Sequence, residues 1–146
     1  MSRARQVASE ATLDMGHLTG WWNYMNNPEV TMHDKQQSTR FDALEKATTA
    51  VGIAVSLVMR GPTPLKSIAD QVIRSASSVP ANLAEGAGRS GRDRIHHFRI
   101  AYGSAKEVDT HLRLLLGTGA INASRTESSL SLFDDVRAMT WRLLHP

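Results

Sequence analysis

The chain has 146 residues, enough for one domain with its own core, and its 41% hydrophobic and 21% charged residues are an ordinary soluble balance. It has no cysteine, which excludes disulfide frameworks, thiolate metal sites and cysteine nucleophiles. Net charge is +3, and residues 1–37 carry four acids against three Lys/Arg, so the basic excess belongs to residues 38–146 and points modestly to a polyanion partner.

Residues 1–37 show no sustained period. Val7, Ala8, Ala11 and Leu13 suit a short helix, broken by Gly16, Gly20 and the Asn26-Asn27-Pro28 turn signal. Arg3 and Arg5 precede no apolar signal core, and no apolar run approaches the ~20 residues that span a bilayer, so a cytoplasmic location is expected. Trp21, Trp22 and Tyr24 cluster here. Either they pack on the domain surface, or they form a docking segment that stacks bases or binds a partner. Met25 or Met32 could also begin a chain that keeps the whole helical body. The expected division is an N-terminal extension, 1–37, partly without fixed structure, and a four-helix domain, 38–146.

The first firm helix is expected from about Arg40 to Arg60. Phe41, Leu44, Thr48, Val51, Val55 and Val58 make a heptad stripe, with Ser38 or Thr39 as cap and Gly61-Pro62 as stop. Gly52 would let a neighbouring helix come close. Thr63-Pro64 opens a second helix whose buried face is Leu65, Ile68, Val72, Ala76, Val79 and Leu83. Pro80 interrupts it, so the helix either bends there or stops near Ser78 and restarts.

Asn82 and Glu85 follow on the edge of that stripe, and Glu85 stands four before Arg89, an ion-pair spacing. A structural network explains them better than catalysis, because a lone carboxylate without a second acid or a ligand set is a poor enzyme signal. Gly86 to Gly91 match GxGxxG formally, but a helix precedes them and no strand surrounds them, so a dinucleotide site is rejected. The glycines end one helix and turn the chain.

Ser90, with Asp93 three later, should cap a third helix with the stripe Ile95, Phe98, Tyr102, Ala105, Val108, Leu112 and Leu115. Gly103 and Ser104 imply close approach by another helix; with Pro80, Asn82, Glu85 and Glu107 they are the candidates for helix contacts or a subunit interface. Gly117-Thr118-Gly119 ends this helix. Ser124 to Glu127 reads as a capping box for a fourth, with Leu132, Val136, Met139 and Leu143 inward and Trp141 off the stripe. The fold expected is an all-α, antiparallel up-down-up-down four-helix bundle.

Arg89, Arg92, Arg94 and Arg99, opposed by Asp93 alone, form the densest basic segment. Guanidinium forks suit phosphate, so these four, with Arg74 and Lys106 as lesser candidates, are the expected contacts to RNA or DNA backbone. The competing explanation is a solvated face with local ion pairs. Few aromatics lie near this segment in sequence, so base stacking is not expected there. His96 and His97 point about 100° apart on a helix and cannot easily share one ion; no metal, cofactor or catalytic residue is expected.

The run Ser78-Val79-Pro80-Ala81-Asn82-Leu83-Ala84-Glu85-Gly86, then Arg89, Phe98 to Ser104, Glu107 and Leu112, resembles the bacterial family of 23S rRNA intervening-sequence proteins. That family is similar in turn to the accessory variability proteins of diversity-generating retroelements. The resemblance implies a four-helix bundle in a homopentameric ring, a nucleic acid or a reverse transcriptase as partner, and no catalytic activity. A ring would repeat the basic patch around an axis and form a collar attractive to a polyanion.

Overall fold

The computed structural model describes residues 28–29 and 31–146, and the chain divides into two compact units, 1–37 and 38–146. The expectations for Trp21, Trp22, Tyr24 and the short helix near Val7 lie outside the described residues. Four helices follow: α1 (Met32–Val58), α2 (Lys66–Gly88), α3 (Gly91–Gly117) and α4 (Ala123–Leu144), with a 3-10 turn, Thr63–Leu65, leading into α2. Short connections between long helices make successive helices antiparallel, and the domain is an all-α four-helix bundle.

The helix starts differ from the sequence expectation because the backbone chose other caps. α1 begins well before Ser38. The Thr31 hydroxyl accepts from the Asp34 N–H at 3.2 Å, and the Asp34 carboxylate accepts from the Thr31 N–H at 3.2 Å. This reciprocal box satisfies two donors that the first turn would otherwise leave open. At α4 the cap is Asn122, whose Oδ1 accepts from Arg125 N–H at 2.9 Å, and Ser124 lies inside the helix. Ser90 does sit at the N-cap of α3, but its side chain makes no capping bond. The α3 end falls at Gly117 as expected, and Gly119 takes φ 73°, a left-handed turn that glycine adopts without a Cβ clash.

α2 runs unbroken through Pro80. Its buried face is Val72, Ala76, Val79 and Leu83, as the spacing predicts, with Ser75 and Gly86 added. Ser75 Oγ donates to the Gln71 carbonyl at 2.7 Å, so this buried hydroxyl is satisfied within its own helix. α3 buries Phe98, Ala101, Ala105, Val108, Leu112 and Leu115.

α1 departs most from expectation. Its buried line is Ala43, Ala47, Ala50, Ala54 and Leu57, not the bulkier stripe beginning at Phe41. Both lines repeat at three and four residues, so periodicity alone could not separate them. The alanines win because a small-residue face allows α1 to approach the core closely and still fill it. Phe41 and Thr48 are exposed, Leu44, Val51 and Val55 are only partly covered, and of that stripe Val58 alone is buried. The register against α4 is held by polar ties. Lys46 pairs with Asp135 at 2.8 Å, Ser129 Oγ donates to the Ala50 carbonyl at 3.2 Å, and Arg125 donates to Ser56 Oγ at 2.7 Å.

Close helix approach occurs at a different glycine from those expected. A Cβ at Gly52 or Gly103 would meet nothing within 4 Å. A Cβ at Gly86 would lie 2.6 Å from Phe98 Cε1, so the absent side chain is what lets the Phe98 ring seat against α2. We therefore expect Gly86→Ala to lower stability by about 1–3 kcal/mol in urea unfolding, through overpacking of a closed core. Gly103→Ala should leave stability unchanged or raise it by up to about 1 kcal/mol, because an open helical position gains propensity.

Candidate nucleic-acid interface

The site is built on the α2–α3 pair. Asn82, half-buried on α2, donates to the Ser78 carbonyl at 2.9 Å and to Ser78 Oγ at 3.1 Å. Its Oδ1 lies 3.0 Å from His97 Nδ1 on α3, which places the imidazole proton on that nitrogen as donor. Ser104 Oγ donates to Ser78 Oγ at 2.9 Å and closes a second cross-link one helical turn pair away. Asn82 and Ser104 thus join the two helices, as the sequence suggested. Ser78 and His97 complete the ladder, and sequence analysis had assigned them no such part. Only the position of His97 beside the inward stripe of α3 signalled it.

The remaining candidate residues fall outside this ladder. Glu85 is exposed and holds Arg89 through Nε at 2.8 Å and through Nη2. Arg89 Nη1 also lies 3.2 Å from Asp93 on α3. The Glu85 hydrogen bond and charge, then the Asp93 charge, push the Arg89 pKa up. Asp93 Oδ1 lies 3.9 Å from His97 Nε2, beside the ladder. Glu107 pairs with His111 at 3.6 Å on its own helix. Gly103 faces outward, and Pro80 lies inside α2 beside the ladder residues.

The six basic candidates therefore separate into two groups. Arg89 is neutralised by two carboxylates. Arg94 is half-buried and its Nε donates to the Arg89 carbonyl at 2.8 Å, which closes the α2–α3 turn. Its charge also bears on buried Arg40, whose pKa is lowered first by burial and then by Arg94. Arg92, Arg99 and Lys106 are exposed and have no ion-pair partner among the described residues. They recur every seven residues, so they share one outer face of α3 at steps of about 10 Å. Arg74 is likewise exposed and without an ion pair, one turn before Ser78 on α2. An open row of cations can contact successive phosphates of a polyanion. Among the described residues no three His, Asp or Glu side chains group to hold a metal ion.

Fold and site together define a helical-bundle protein with a polar-locked helix pair and an open cationic outer face. The family model of the 23S rRNA-intervening sequence protein matches residues 42–142, and the chain belongs to that family. A solved structure from Bacteroides thetaiotaomicron VPI-5482, described as a protein with unknown function from the S23 ribosomal protein family, is similar at 25% identity. The similarity covers 77% of this chain and 99% of that one, with a TM-score of 0.62. None of the curated proteins matches the chain.

Removing Asn82 strips Ser78 and His97 of a shared partner. Asn82→Ala should cost about 1–3 kcal/mol in urea unfolding. Arg89→Ala, which breaks only exposed pairs, should cost no more than about 1 kcal/mol in the same assay.

Proposed function

We propose that the protein binds the sugar–phosphate backbone of RNA or DNA as a homo-oligomer and performs no chemistry on it. The open row Arg92, Arg99 and Lys106 carries this proposal, with Arg74 as an outlying contact. Such binding is sequence-tolerant and steeply salt-dependent, because each phosphate contact releases a counterion. Arg89 and Arg94 act indirectly in this scheme, holding the turn that presents the row.

Self-association is supported by the outer stripe of α1. Phe41 and Met59 are 66% and 69% exposed at its two ends, with the apolar stripe between them. A second copy of this chain is the occupant we assign to it, in a ring of five by the family resemblance. A ring would set several cation rows around one axis and raise affinity by avidity. The alternative is an oligomeric scaffold that engages a protein, such as a reverse transcriptase, without touching nucleic acid; exposed apolar surface favours it equally.

Fluorescence anisotropy with a structured RNA and a mixed-sequence duplex DNA separates the two. Backbone binding predicts salt-dependent affinity for both, with the salt slope reduced by about one for each of Arg92→Glu, Arg99→Glu and Lys106→Glu. No binding at low salt, or binding indifferent to these reversals, would leave only the scaffold. The oligomer has its own check: Phe41→Ser with Met59→Ser should reduce the particle mass in light scattering toward a single chain and leave the helical circular dichroism unchanged.

A further inference from the structure

The cation row has an aromatic border that sequence spacing did not place. Trp141 on α4 is 52% exposed, an unusual state for the largest side chain. Its ring centroid lies 5.9 Å from Tyr102 on α3, tilted by 48°. His145 also lies against it, with ring centroids 3.9 Å apart and tilted by 32°, and its Nδ1 is 3.0 Å from the Trp141 carbonyl. The Tyr102 ring carries Lys106 Nζ at 5.9 Å from its centroid. Tyr102, Trp141, Arg137, Ala138 and Arg142 line a shallow hollow of about 410 Å³.

We propose that this hollow seats an unpaired nucleobase of a single strand, stacked on Trp141, with the flanking phosphates on Arg142, Lys106 and Arg99. Three observations lead there. The aromatic rings are pre-set: Tyr102 and His145 both contact Trp141, which keeps half of its surface open, so little side-chain freedom is lost on stacking. Ala138 keeps one wall of the hollow low, where a larger residue would fill it. The rim is cationic. Arg142 and Lys106 have no ion-pair partner among the described residues, while Arg137 is held by Asp134.

Charge selects among possible occupants. A cationic ligand, the usual guest of an aromatic cluster, is repelled by this rim. A symmetric contact with a second copy would bring Arg142 and Lys106 against themselves. A base carrying its own phosphates satisfies both the rings and the charges. Lys106 belongs to the α3 row and its Nζ lies 5.9 Å from the ring of Tyr102, which lines the hollow, so one strand can run from the row into the hollow. The inference rests on the proposed backbone binding and adds to it a preference for single strands.

The test compares two short strands with the same phosphates, an oligothymidylate and its abasic counterpart, by anisotropy at low salt on the full chain. The native protein should bind the base-bearing strand roughly tenfold tighter. Trp141→Ala should abolish that preference and keep the affinity for the abasic strand. Trp141→Phe should retain most of the preference, and a wild-type-like melting temperature for both variants guards against misfolding. Equal binding of the two strands by the native protein, or a preference that survives Trp141→Ala, would overturn the stacking site and leave backbone binding standing. Failure of both strands to bind would overturn the stacking site, while backbone binding is decided by the structured RNA and the duplex DNA. A change in particle mass on Trp141→Ala, with no base preference in the native protein, would assign the hollow to a subunit contact instead.

Discussion

The seating of Phe98 against Gly86 sets the geometry on which the rest depends. α2 and α3 can close only where one of them lacks a side chain, and the Cβ position at Gly86 falls 2.6 Å from the ring. Once the helices are that close, Asn82, Ser78, His97 and Ser104 come within hydrogen-bond reach and lock the register. Burying such groups is tolerable only because each finds a partner, and a slip by one residue would orphan them all. The same closure brings Asp93 to Arg89, and so decides which cations are consumed by the fold.

That consumption shapes the electrostatics of the surface. The most arginine-rich segment is not the most open one. Glu85 and Asp93 neutralise Arg89, and the Arg89 carbonyl takes a hydrogen bond from Arg94. Among the described residues no carboxylate meets Arg92, Arg99 or Lys106, which are spaced along α3. A long-chain polyanion is matched better by such a spaced row than by a knot of paired guanidiniums, since its own charges are spaced along a line.

α1 carries two apolar faces of different bulk. The alanine line fits the close quarters of the bundle. The line from Phe41 to Met59 is too bulky for that space and is left toward solvent at both ends. Its bulk is not needed to fill the bundle, and the proposed self-association would use it.

The fold was largely legible in the sequence. The stripes of α2 and α3 and the stop at Gly117 follow from 3.6-residue periodicity and local backbone chemistry, both of which act over a few neighbouring residues; whether α2 bends or breaks at Pro80 did not. Asn82 and Ser104 were recognisable as structural because they stand on, or beside, apolar stripes. The cap at Asn122 was misplaced because Asn122 and Ser124 competed within one turn and only backbone geometry chose between them; that of α1 was misplaced because the helix starts about two turns before Ser38. Tertiary structure alone decided which of two equal heptad lines of α1 faces the core. It alone decided that Gly86, not Gly103, admits a neighbour, that Asn82 meets His97, and that Trp141 stands beside Tyr102. Each of these depends on which side chains meet across helices, and no spacing along a single chain encodes that distance.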